Sequence, residues 1–351
     1  MAMMKTNVPA SLADQFQTVF SKKLLDGVKE TLVLNTYGQK YDLPTNTGNN
    51  SITMFQWDTE ANASNVQSLT EGTTISTYRD IGLRKIQVPL AQVGEALKLS
   101  DILNYTQLFN ALQEGIRALT LDAAQHLDTV VRNALHGGST AQGVTVDSAR
   151  GTGIHGTTIP KIYAGASTTA AGLVAAADGF LAPSDLLDAA TAIRNEKNVS
   201  LNETFTAIVD PSVAADLLKD QTVLNIAYRN VATKVSDIAK GQIGDLYGVS
   251  VSQHTNAFKA SSGSENTYAT SAASGEVLVY STYVMTSGAF GTVNYSGQSP
   301  YAPSVVIVDK PDKSDILNQN IYAGWKAHWA VQVLNAKKAR ILCSKSRTSN
   351  S

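Results

Sequence analysis

At 351 residues the chain exceeds what one small core requires and is long enough for two compact units with extensions. Only 16% of its residues are charged and its net charge is −1, so no global field draws it to nucleic acid or anionic membranes. A polar, weakly charged surface of this kind suits burial against further copies of itself. A single cysteine, Cys343, rules out an internal disulfide, and its neighbours Ile341 and Leu342 mark it as a buried thiol in a strand.

The first residues, MAMMKTNVPASLADQF, lack the apolar run of about 7–15 residues that a signal peptide carries. No apolar stretch of about 18 residues occurs either, so a cytoplasm-like compartment is expected. Over 11–37, Leu12, Phe16, Phe20, Leu24, Val28 and Leu32 recur four apart, which predicts an amphipathic helix. This piece reads either as an arm that packs on something else or as an ordinary first helix. The proline and turn formers of YDLPTNTGNN follow it.

Two strand runs, 51–57 and 84–90, are separated by the turn-rich stretch 58–83. That spacing is too long for a tight turn and predicts an extended two-stranded flap. Such a flap is unstable alone and needs a partner surface, in the same chain or in the next copy. A strand-like stretch at 93–99 leads into the main signal of the chain. From 106 to 135 the apolar positions Leu108, Phe109, Leu112, Ile116, Leu119, Ala123, Leu127, Val130 and Ala134 step by three and four, as one buried helix face requires. Thr106 is placed as N-cap, Asp128 and Arg132 stand at i,i+4, and Gly137 with Gly138 supplies a left-handed stop. The helix would be roughly 45 Å long.

Residues 139–182 are rich in Gly, Ser, Thr and Ala and read as a surface insertion. Within them Gly151, Gly153 and Gly156 match G-x-G-x-x-G, but Pro160 follows and no helical period appears, so dinucleotide binding lacks its structural context. From 183 onward, a helix opening at Pro183, a strand at 204–209, a turn at Asp210-Pro211, a short helix and strands near 249–253 and 276–284 describe a compact α+β unit, with 254–275 as a loop. A strand at 305–308 and a longer one at 321–333 follow. The longer strand would span roughly 43 Å and match the long helix. Lys337, Lys338, Arg340, Lys345 and Arg347 then form a modest basic cluster, readable as solvated surface or as a weak, salt-sensitive phosphate lining.

Catalysis finds no foothold. The histidines His126, His136, His155, His254 and His328 have no metal-pair spacing, and no nucleophile elbow, Walker loop or Asp-x-Asp run occurs. His126, close to the apolar stripe of the long helix, reads as structural. Glu60 and Glu71 in the flap read as solvated charges or as contacts for a neighbour's basic patch. No catalytic, cofactor-binding or metal-binding residue is therefore assigned, and no cofactor.

The order arm, flap, long helix, compact α+β unit and long returning strand resembles the layout of tailed-phage major capsid proteins of the Hong Kong 97 type. Several short stretches are similar to the N-four-like phage major capsid family: Tyr41-Asp-Leu-Pro44 with Gly48, Leu69-Thr-Glu-Gly72, Gly241-Gln-Ile-Gly244 with Gly248-Val249, Ser314-Asp-Ile-Leu-Asn-Gln319, Gly324-Trp-Lys-Ala327 and Val333-Leu-Asn335. The resemblance implies an α+β Hong Kong 97-like fold with residues 1–50 as N-terminal arm and 51–95 as E-loop. Residues 96–182, holding the spine helix 106–135 and the insertion, together with 301–351 would form the P-domain, and 183–300 the A-domain. It implies a non-enzymatic shell protein that assembles in the bacterial host cytoplasm into hexamers and pentamers of an icosahedral virion head. The shell would enclose double-stranded DNA touched non-specifically on its inner face, with portal, separate scaffolding and decoration proteins as possible partners and no membrane. Some relatives cross-link a flap lysine to a neighbour's asparagine; Lys85 lies in the flap strand, without a positioned acid partner. The competing readings are an encapsulin-like non-viral compartment and, more remotely, a nucleotide-dependent enzyme using the 151–156 loop.

Overall fold

The computed structural model describes residues 34–45, 48, 51–57, 68, 71–72, 74, 83–100, 111–137, 159–165, 167–196, 203–220, 223, 244–264, 266–295, 304–308 and 319–347. Residues 11–33 of the expected helix 11–37, the 151–156 loop, His155, Glu60 and the proposed cap Thr106 lie outside them.

One helix is shared by two sheets. α1 (Ala111–His136) runs for 26 residues, about 39 Å at 1.5 Å per residue. The predicted stripe is the buried one, with Ile116, Leu119, Ala123, Leu127, Val130 and Ala134 all inside. Gly137 ends the helix at φ 73°, the left-handed stop anticipated from the Gly-Gly pair. A five-stranded sheet lies along its first half. There β13 (Asn320–Val333) pairs antiparallel over ten residues with β4 (Ala91–Ser100), from Asn320↔Ser100 to Trp329↔Ala91. Its other edge carries β12 (Ser304–Val308) and then β11 (Phe290–Tyr295) in succession. Ile321, Ala323, Trp325 and Trp329, which alternate along β13, are buried as the period of two requires, the last three in the core beneath the helix. Helix and sheet come so close that a Cβ on Gly115 would lie 2.4 Å from Leu97 Cδ2.

The second half of α1 covers a seven-stranded sheet of order β5-β14-β10-β6-β8-β7, with β9 on β10. These strands are β5 (Lys161–Tyr163), β6 (Phe205–Val209), β7 (Gly244–Leu246), β8 (Val249–Gln253), β9 (Lys259–Ser261), β10 (Leu278–Thr286) and β14 (Ala339–Ser344). All nine residues of β10 are buried, because both faces of the sheet are covered. Tyr283, Ile341 and Cys343 join the core beneath α1. Leu342, Val284 and Phe205 face the opposite core, formed with α3 (Pro183–Arg194) and α4 (Pro211–Lys219). α3 begins with Pro183, and the Asp185 carboxylate accepts from the Ala182 backbone N–H at 2.9 Å, in the manner of a capping box. Asp210 is the N-cap of α4 and accepts from the Ser212 N–H at 2.9 Å, so Asp210-Pro211 opens the helix rather than a separate turn.

Several expectations change here. The end of the expected helix 11–37 is instead a 3-10 turn at Leu34–Thr36, and the stretch after it is not loop, since β1 (Gln39–Leu43) joins the five-stranded sheet parallel to β11. Tyr41-Asp-Leu-Pro44, quoted above as a motif, supplies most of that strand. The second part of the expected insertion, 159–182, is structured. It holds β5, the short helix α2 (Ala170–Ala175) and the buried Ile159, Ala164, Leu173 and Leu181. Within 254–275, read as loop, β9 forms beside the buried Phe258. Sheet membership also cuts across chain order: β11, inside 183–300, belongs to the five-stranded sheet, whereas β5 and β14, outside that range, belong to the seven-stranded one.

Candidate assembly surface

The flap expected at 51–90 is a hairpin of its own. β2 (Ser51–Trp57) and β3 (Leu83–Pro89) pair antiparallel from Ser51↔Pro89 to Trp57↔Leu83 and form a separate two-stranded sheet. Only its base has a core. Val88 is buried with Val293 and Ala330 of the five-stranded sheet, and Tyr41, Ile52, Met54 and Leu90 pack around them. Phe55, next to Met54 and therefore on the opposite face of the ribbon, is 62% exposed. Covering a phenylalanine contributes about 1.5–3 kcal/mol, so the hairpin carries an unused contact. A two-stranded ribbon is marginal in water without a third surface, which makes this hairpin the element most in need of a neighbour.

The basic cluster near the end of the sequence is not a free cationic surface. Arg340 is buried, 2.7 Å from Glu196, and donates to the Lys337 and Ala339 carbonyls. Lys337 lies 3.6 Å from Glu196 and Lys338 3.0 Å from Glu203. The Lys345 ammonium donates to the Ala176 carbonyl and lies over the Phe180 ring. The Arg347 guanidinium also lies over Phe180, and its backbone N–H donates to Asp216 at 2.8 Å. Lys337, Lys338, Arg340 and Lys345 thus have partners inside the molecule, whereas Arg347 is exposed. No composition or spacing signal pairs Glu196 and Glu203 with cations more than a hundred residues away.

Asp128 and Arg132, expected as a pair along the helix, each reach beyond it at the junction of the two sheets. Asp128 Oδ2 lies 3.1 Å from His254 Nε2, and its Oδ1 accepts from the Asn35 N–H at 3.4 Å. Arg132 donates to Asn256 Oδ1, and its guanidinium stacks 3.8 Å from the centroid of Tyr268. Burial lowers the Arg132 pKa below its ordinary value, with the neighbouring Tyr268 and Tyr283 acting in the opposite sense. Burial likewise holds the Tyr283 phenol far above the ordinary tyrosine range, so it stays protonated and donates to the Arg132 carbonyl at 3.4 Å.

The other histidines are placed individually. His126 is half-buried, its ring 6.1 Å from that of Trp325, and His136 stacks on Phe258 at 3.6 Å. His328 meets Tyr295 edge-on. Among the described residues no three His, Cys, Asp or Glu side chains converge as metal ligands, and no helix is long and apolar enough to cross a membrane. Glu71 is exposed, and Lys85 faces Phe55 in the hairpin register. Cys343 is buried in β14, as expected.

The same architecture recurs in solved phage capsids. The capsid of Ralstonia phage GP4 matches with a TM-score of 0.60 at 12% identity, over 91% of this chain and 90% of that one. The Cyanophage Pam1 capsid matches with a TM-score of 0.63 at 13% identity, over 90% of each chain. The Cyanophage P-SCSP1u capsid matches with 0.59 at 14% identity, over 89% of this chain and 87% of that one. These likenesses establish the Hong Kong 97-type fold. A comparison with curated protein sequences returned no significant match. The model of the family described as phage capsid protein matches residues 85–336, well over half of the sequence, from β3 to the turn before β14. This chain belongs to the phage capsid protein family.

Proposed function

We propose that this chain is the major shell protein of a tailed-phage head, a structural and non-enzymatic subunit that assembles into hexamers and pentamers around double-stranded DNA. The carrying observation is the β2–β3 hairpin, which packs one face of its base on the five-stranded sheet and exposes Phe55 on the other. In the shell, the hairpin and the N-terminal arm lie across adjacent subunits, and the seven-stranded units meet around each capsomer axis. α1, packed on both sheets, fixes the distance between those two kinds of contact. On this reading residues 51–95 act as E-loop, the five-stranded sheet with α1 as P-domain and the seven-stranded unit as A-domain. The short motifs favour the N-four-like group within the family. Assembly takes place in the host cytoplasm, with portal, separate scaffolding and decoration proteins as further partners. DNA contact is weak and salt-sensitive.

Electron microscopy of the purified protein tests this reading. Uniform icosahedral particles are expected; a monodisperse small oligomer under all assembly conditions would contradict it.

A further inference from the structure

β5 and β10 are not neighbours in the seven-stranded sheet, because β14 lies between them. It pairs antiparallel with β10 from Tyr280↔Ser344 to Met285↔Ala339, and parallel with β5 from Ile341↔Lys161 to Cys343↔Tyr163. All six of its residues are buried. Ala339, Ile341 and Cys343 complete the core under α1, while Leu342 completes the one under α3 and α4.

The flanks are tied as firmly as the strand. Lys337 and Arg340 meet Glu196, and Lys338 meets Glu203. Beyond the strand, the Lys345 N–H donates to the Gly179 carbonyl at 2.8 Å, and Ser346 Oγ donates to Asp216 at 2.9 Å. Cationic side chains thus enter an acidic rim, both strand edges are hydrogen-bonded, and alternate side chains fill opposite pockets. This is how an added strand is recognised in β-augmentation, with charge complementarity setting its register.

Every segment that forms this cleft, 159–164, 176–181, 192–196, 203–216 and β10, is made before the strand that fills it. Without β14, β5 has no partner strand among the described residues, and two cores lie open at Ile341 and Leu342. The five-stranded sheet, by contrast, contains no residue beyond Val333.

We propose that the gap between β5 and β10 is a strand-acceptor site whose ligand is this chain's own segment 336–347, and that the seven-stranded unit stays open until that segment has been synthesised. An unfinished chain is thereby kept from joining a shell. That last clause rests on the shell reading above; the acceptor site does not.

The test holds the full chain on the ribosome by a flexible extension of increasing length after Ser351 and follows protease resistance of residues 203–295. Resistance is expected in one step, when the extension is long enough for Arg347 to clear the exit tunnel. Resistance while 339–347 is still inside the tunnel would overturn the proposal. A second measurement uses the chain ending at residue 335 with a synthetic peptide of residues 336–351. The peptide should restore resistance at 203–295, and a peptide carrying Lys337→Glu, Lys338→Glu and Arg340→Glu should not. A shortened chain that is resistant unaided, or that the wild-type peptide leaves as sensitive as before, contradicts the acceptor site. A full-length protein that is protease-resistant but forms no particles would instead count against the shell reading alone.

Discussion

The β2–β3 hairpin and the β10 strand of the seven-stranded sheet are both built from antiparallel pairing, yet they solve burial in opposite ways. β10 has a helix layer on each face and three partner strands, β14, β6 and β9, along its edges, and all nine of its residues are buried. The hairpin has one packed base and then leaves Phe55 in water. The first owns its core on both faces, whereas the second has a packed base and an exposed aromatic. In a self-assembling subunit that division is useful, because the part that must not move owns its core and the part that must find a neighbour does not.

Substitutions separate the two regions, and the largest effect belongs to the element they both depend on. Leu119→Pro in the middle of α1 breaks a helix hydrogen bond and clashes with the preceding turn, at a cost of about 3 kcal/mol or more. Because α1 is packed on both sheets, soluble folded protein should be lost altogether, as read by solubility and far-UV circular dichroism. Next, Tyr283→Ala removes the largest fully buried side chain among the described residues and the donor to the Arg132 carbonyl. It should cost about 3–5 kcal/mol in denaturant unfolding.

Phe55→Asp sharpens the contrast. It should change subunit stability by about 0.5 kcal/mol or less, since the side chain is exposed, yet abolish closed particles in sedimentation. A matching loss of subunit stability would show that the hairpin is cored after all. His126→Ala, which leaves a half-buried ring site beside Trp325, should lower stability by about 1 kcal/mol and leave particles intact.

The smallest expected effect is a pH dependence at the edge of the seven-stranded unit. Hydrogen bonds from Ser261 Oγ and then the Gly263 N–H hold the Glu276 carboxyl below its ordinary pKa of 4.5. The folded state therefore favours the ionised form. The stability this contributes is complete above the ordinary carboxylate range and is lost as pH falls through the lower folded value. Glu276→Gln should flatten that acid limb of the stability profile; an unchanged limb would remove Glu276 from the account.

Elements with a private periodicity were readable from the sequence. The α1 stripe from Ile116 to Ala134 and the alternation along β13 each bury one face, and a buried face leaves its period in the residue order. What could not be read was membership. β14 is six residues long and buried on both faces, so it shows no alternation, and Lys337, Lys338 and Arg340 around it look like solvent-facing charges until Glu196 and Glu203 are seen beside them. β1 and β5 are short strands whose pairing partners lie more than 170 residues away, beyond the reach of any local pattern. At the sheet junction the contact of Asp128 with His254 was hidden for the same reason, while Phe55 was legible as apolar but not as exposed.

The central claim is that the hairpin completes its core on a neighbouring subunit. Replacing residues 58–82 by Asn-Gly tests it directly, since Trp57 and Leu83 face each other across the ribbon and a two-residue type I′ turn can close it there. Electron microscopy of this variant beside the unaltered protein should show a soluble, folded subunit that no longer closes shells, against uniform particles from the parent. Normal particles from the shortened hairpin would contradict the account.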